Sequence, residues 1–86
     1  MSLSSIRVRV LYFAQARELA GTKEDEFVLA DPARFEQLFS QVMNAHPGLL
    51  EIRKIIQPLL NGRAVPENAK LKDGDRVALL PPVGGG

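Results

Sequence analysis

The sequence predicts an α+β domain in which a mixed sheet packs on one main helix. Three observations carry this expectation: apolar alternation from Ile6 to Phe13, a three-and-four apolar stripe from Phe35 to Met43, and short strand-like runs around an Asn61-Gly62 turn. The chain has 86 residues. A length below about 100–200 residues leaves room for one core, so residues 1–86 read as a single domain. Such a domain buries roughly 60% of its unfolded surface, which argues against a deep enclosed active site.

In the first run Ile6, Val8, Val10 and Tyr12 fall on one face of a strand, and Arg7, Arg9, Leu11 and Phe13 on the other. Ala14 to Ala20 offers good helix formers, with Gly21 placed for a left-handed C-terminal cap. Glu26 to Ala30 alternates again and reads as a second strand returning beside the first, Phe27 and Leu29 pointing inward. Asp31 reads as an N-cap and Pro32 as a first helical residue, where a missing N–H costs nothing, so the main helix is expected to begin at Pro32. Its buried stripe is Phe35, Leu38, Phe39, Val42 and Met43, and His46-Pro47-Gly48 ends it.

Leu49 to Ile56 reads as either helix or loop. Asn61-Gly62 lies between Leu59-Leu60 and Ala64-Val65, and both turn residues accept positive φ, so a tight hairpin is expected there. Leu71 to Asp75 is a turn that feeds a last strand, Arg76 to Leu80. Strands, one long helix and strands again make a β-grasp arrangement the natural candidate.

Eleven Lys and Arg against ten Asp and Glu, dispersed along the chain, give no electrostatic reason to expect nucleic acid or an anionic membrane as partner. Cysteine is absent, which excludes disulfides, thiolate metal sites, iron–sulfur ligation and an internal persulfide. No apolar run approaches the ~20 residues of a membrane helix, and no signal-peptide pattern opens the chain, so a cytoplasmic protein is expected. The single histidine, His46, has no cluster to join, and no metal site is expected. At a helix C-terminus it reads as a solvated imidazole near the negative end of the dipole. The chain therefore lacks the groups to be a catalyst alone.

The tail 81–86 is different: Pro81-Pro82 favours an extended exit from the last strand, and Gly84-Gly85-Gly86 closes the chain with a free carboxylate. Glycine has no side chain to block a narrow channel, so the tail can be threaded into a foreign active site. Composition alone equally allows an inert frayed terminus. Position favours function, because the tail begins where the last strand ends and reaches its glycines within three residues, which a linker fragment has no reason to do. A second clue is the other face of the sheet. With Val77 and Leu79 turned toward the helix, Leu11, Phe13, Ala78 and Leu80 form an apolar patch near the tail. Either a protein partner covers that patch or the segment 49–56 does.

Three stretches carry a family resemblance: Val10-Leu11-Tyr12-Phe13-Ala14-Gln15-Ala16-Arg17-Glu18-Leu19-Ala20-Gly21, Asp73-Gly74-Asp75-Arg76-Val77-Ala78, and Pro81-Pro82-Val83-Gly84-Gly85-Gly86. Together they resemble the small, MoaD-type sulfur carriers of molybdopterin synthase. The resemblance implies a ubiquitin-like β-grasp fold and a cycle in which a MoeB-type, E1-like enzyme uses ATP and magnesium to adenylate the carboxylate of Gly86. A sulfur donor then displaces AMP and leaves a thiocarboxylate on Gly86. No cofactor is bound permanently under this scheme. The resemblance further implies a large, MoaE-type subunit, in a heterotetramer, into which the tail passes through Gly84 and Gly85 to give sulfur to cyclic pyranopterin monophosphate. It places the partner interface at Phe13, Ala64 and Leu80, continuing into Pro81, Pro82 and Val83. Gly84, where relatives often carry a small hydroxyl residue, and Leu79-Leu80, where aromatics are common, depart from the pattern. Carriers for thiamine synthesis, tRNA thiolation or protein conjugation share the glycine terminus, and a non-covalent β-grasp module with an inert tail is the rival of another class.

Overall fold

The computed structural model describes residues 4–66 and 68–82. Strand β1 (Ser5–Tyr12) buries alternate residues, and Ile6, Val8, Val10 and Tyr12 are each at most 4% exposed. A turn with Ala14 at φ 50° leads into helix α1 (Gln15–Ala20). Gly21 ends that helix in the left-handed region at φ 75°, its N–H donating to the Arg17 carbonyl at 2.9 Å. Strand β2 (Glu24–Ala30) returns antiparallel to β1, with Leu29 buried and Phe27 half-buried against the core.

The main helix, α2 (Phe35–Ala45), starts three residues later than the Asp31-Pro32 signal predicts. Ala33–Arg34 instead forms a short strand, β3, antiparallel to β6 (Lys70–Leu71). Long-range pairing overrides the local cap here. Ala33 and Leu71 are buried opposite each other, the Phe35 N–H donates to the Ala69 carbonyl at 2.8 Å, and the Arg34 guanidinium reaches the Asn68 carbonyl at 2.9 Å. These bonds hold Arg34 extended at φ −121°, ψ 160°, so Arg34 becomes the cap, its N–H donating to Gln37 Oε1 at 2.7 Å. The predicted stripe then holds, with Phe35, Leu38, Val42 and Met43 buried and Phe39 half-buried against them.

His46 ends α2, and Pro47–Ile52 forms a 3₁₀ helix that packs against α1 and α2. Leu49, Ile52 and Ile56 from this segment enter the core on the helix side of the sheet. The segment thus adds to the interior and does not fold over the opposite, open face. Strands β4 (Gln57–Leu60) and β5 (Arg63–Ala64) are joined by Asn61 at φ 50° and Gly62 at φ 85°, the positive-φ pair expected of a two-residue hairpin. Strand β7 (Arg76–Leu80) runs parallel to β1 and antiparallel to β4, giving a five-stranded sheet in the order β2-β1-β7-β4-β5. A mixed sheet grasping one main helix is the ubiquitin-like β-grasp arrangement, α+β in class.

Candidate functional site

Register alone assembles the open face. Leu11 of β1 stands beside Ala78 of β7, Ala78 opposite Leu59 of β4, and Leu59 opposite Ala64 of β5. Because each strand alternates, these four lie on the side away from α2, in one apolar row across the sheet. Leu11, Leu59 and Ala78 are half-buried and Ala64 is exposed. One step nearer the chain terminus come Leu80, half-buried, and Phe13, 36% exposed, whose N–H donates to the Leu79 carbonyl at 3.3 Å.

Polar groups frame this row. The Arg17 guanidinium lies 6.0 Å from the Phe13 ring centroid and its Nε donates to the Tyr12 carbonyl at 3.2 Å, so the cation holds the exposed ring in place. On the side away from the tail, Arg9 stands beside Arg76 across β1 and β7. Arg9 pairs with Glu24 and lies 3.8 Å from Glu26, while Arg76 has no ion-pair partner among the described residues. The face is therefore apolar toward Pro81 and charged with both signs at its far end, where Arg9 and Arg76 stand with Glu24 and Glu26.

The structure brings Phe13, Ala64 and Leu80 onto this face, and β7 delivers the chain into a buried Pro81 and an exposed Pro82. Val83, Gly84, Gly85 and Gly86 lie outside the described residues. Leu59 escaped the sequence reading although it sits in the middle of the row. Counting outward from the Asn61-Gly62 turn pairs Leu60 with Arg63 and Leu59 with Ala64, but placing Leu59 in the row also needs its pairing with Ala78.

On the helix side lies a polar constellation that sequence reasoning also missed. The Tyr12 hydroxyl donates to Asp25 Oδ2 at 3.0 Å, and His46 Nε2 meets the same oxygen at 2.6 Å. The imidazole packs edge-on to the Tyr12 ring, with centroids 5.4 Å apart. His46 is thus not the solvated imidazole expected: its side chain is only 18% exposed and clamps the end of α2 to the start of β2. Burial, then the hydrogen bond and charge of Asp25, raise the Tyr12 phenol well above its ordinary range. A proton so firmly held under the sheet suits a structural tie and not acid–base work. Among the described residues no three His, Cys, Asp or Glu side chains gather as metal ligands, and no helix is long and apolar enough to cross a membrane.

Comparison with known proteins agrees with this geometry. Residues 10–86 match the ThiS family. The molybdopterin synthase sulfur carrier subunit of Chlamydomonas reinhardtii is 45% identical over 83 residues, covering 94% of this chain and 100% of the relative. Among solved structures, the small archaeal modifier protein SAMP1 of Haloferax volcanii superposes with a TM-score of 0.82 at 27% identity, covering 93% of this chain and 99% of that one. The protein–protein complex of subunits 1 and 2 of molybdopterin-converting factor from Helicobacter pylori contains a chain that superposes with a TM-score of 0.66 at 30% identity, covering 94% of this chain and 100% of that one. The chain belongs to the ThiS family, and its likeness to the molybdopterin synthase sulfur carrier subunits runs through nearly its whole length.

Proposed function

We propose that this chain is the sulfur-carrying subunit of a molybdopterin synthase, and that it carries sulfur as a thiocarboxylate on Gly86. The observation that carries the reading is the apolar row Leu11, Ala78, Leu59 and Ala64, flanked by Phe13 and Leu80, on the face from which the last strand runs into Pro81-Pro82 and the glycines. A carrier needs a surface to be held by and a terminus to be reached, and the last described residues, Pro81 and Pro82, leave the sheet beside that surface.

In the proposed cycle the Gly86 carboxylate attacks the α-phosphate of ATP on an E1-like enzyme. Pyrophosphate leaves, magnesium offsets the phosphate charge, and an acyl adenylate forms. Sulfide-level sulfur delivered by a donor then attacks the carbonyl carbon, AMP departs and the sulfur loses its proton, so the thiocarboxylate is held by a glycine in a chain without cysteine. In a large synthase subunit the tail enters through Gly84 and Gly85, and sulfur passes to cyclic pyranopterin monophosphate. In this reading the side chains that position that substrate belong to the large subunit, and this chain contributes the sulfur-bearing terminus. The subunit complex from Helicobacter pylori supports such a pairing. The ATP requirement is consistent with a cytoplasmic site of action.

Intact mass after incubation with ATP, an E1-like enzyme and a sulfur source tests the cycle. Replacement of one oxygen by sulfur is the expected shift, and it is lost when Gly86 is deleted. The likeness to a small archaeal modifier protein supports a second reading, conjugation of the same terminus to protein amines. Ladders of higher-mass adducts with a lysine-bearing protein, in place of the thiocarboxylate, would decide for it.

A further inference from the structure

A second surface lies on the other side of the same two strands. Pro58 stands opposite Leu79 in the register, so it faces the helix side, and beyond it a groove of about 610 Å³ opens between α2 and the β4–β5 edge. Its floor is Phe35, Phe39, Pro58, Val65 and Pro66, with the two phenyl rings stacked at 5.4 Å. The Arg53 guanidinium lies 5.9 Å from the Phe39 centroid and lines the groove. An adjoining hollow of about 580 Å³ shares Pro66 and adds Arg63. Among the described residues neither arginine has an ion-pair partner, and Glu36 is the one acid on the groove wall.

We infer that this groove docks an extended, acidic segment of a protein partner, anchored by an apolar side chain on Phe35 and Phe39 and by carboxylates at Arg53 and Arg63. Charge complementarity selects the acid, because two cations border an aromatic floor and guanidinium groups favour paired bonds to carboxylates. Backbone geometry favours an extended occupant. In a two-residue hairpin the residues flanking the turn, Leu60 and Arg63, bond each other, so the Ala64 N–H and C=O point out of the sheet edge, open to a passing strand. The aromatic floor of the groove lies on the opposite side of β4 from the open face, the two surfaces meeting at the edge residue Ala64, so a partner on the open face leaves that floor accessible. The carrier can then be held by one protein while a second works on its terminus. This inference stands apart from the thiocarboxylate reading.

The test uses the full chain, labelled with nitrogen-15, titrated with an acetylated hexapeptide alternating Asp with Leu and Phe. Expected are amide shifts at Phe39, Arg53 and Val65, weakened by added salt, and little response to the same peptide with Lys in place of Asp. Arg53→Glu and, separately, Arg63→Glu each weaken binding by about tenfold or more, with the rest of the spectrum unchanged. Absence of shifts, shifts confined to Leu11 and Ala78, or equal binding of the Lys peptide would overturn the inference. So would concentration-dependent shifts without peptide, which would assign the groove to a second copy of this chain.

Discussion

His46 Nε2 and the Tyr12 hydroxyl meet on a single oxygen, Asp25 Oδ2, at 2.6 and 3.0 Å. Three elements distant in sequence are tied at that atom: the end of β1, the start of β2 and the end of α2. Tyr12 is fully buried, so its hydroxyl depends on Asp25 for a partner. Asp25→Ala leaves that donor unsatisfied beneath the sheet and should cost about 1–3 kcal/mol in urea unfolding. Tyr12→Phe removes donor and need together and should cost less, about 0.5–1.5 kcal/mol. Equal losses in the two variants would mean that the bond contributes little.

The same tyrosine predicts an alkaline limit. Its phenol is raised in the folded state, chiefly by burial and then by Asp25. Below pH about 10, both folded and unfolded chains keep the proton, and the Tyr12 contribution is whole. Above it the unfolded chain releases a proton that the folded chain retains, so stability falls, by up to about 1.36 kcal/mol per pH unit from this group. Tyr12→Phe should flatten that limb relative to the parent chain. Tyr12 is the only tyrosine, so tyrosinate absorbance should appear together with unfolding and not before it.

Leu59→Asp tests the open face where register, not motif, identifies the centre. Leu59 lies between Ala78 and Ala64 and is half-buried, so a charge there is tolerated by the isolated fold and opposed by an apolar partner. Binding to a large synthase subunit should fall by roughly 30-fold or more, the scale of a central interface residue, with little change in the unfolding midpoint. Arg76→Ala, which removes the far-end arginine without an ion-pair partner among the described residues, should chiefly lower the salt dependence of association. Undiminished binding by Leu59→Asp would move the interface elsewhere.

Local signals were legible wherever a turn or periodicity acted alone. The Asn61-Gly62 hairpin, the Gly21 cap, the Arg76–Leu80 strand and the α2 stripe all follow from neighbours in sequence. What failed were features set by distant partners. The start of α2 moved because residues 33–34 pair with residues 70–71, which no local cap can announce. His46 looked idle because Asp25 lies 21 positions earlier and only the fold joins them. On the open face, Phe13, Leu11, Ala78 and Leu80 were visible from alternation, whereas Leu59 required knowing that β4 pairs with β7.

Ala14 offers the sharpest local test. It sits at φ 50°, ψ −126°, between Phe13 and α1, in a turn where the Ala16 N–H donates to the Phe13 carbonyl at 3.0 Å. That backbone region suits glycine, and a Cβ there costs on the order of 1–3 kcal/mol. Ala14→Gly relieves this, against about 0.4–1 kcal/mol of added freedom in the unfolded chain, so a neutral to slightly stabilising change is expected. Ala14→Val adds a branched Cβ at the same positive φ and should destabilise in thermal melts. Because the turn also aims Phe13, Ala14→Val should weaken binding to a large synthase subunit by more than its loss of folded protein explains. A Val variant as stable and as well bound as the parent would show that the turn tolerates another geometry and that Phe13 is oriented by Arg17 alone.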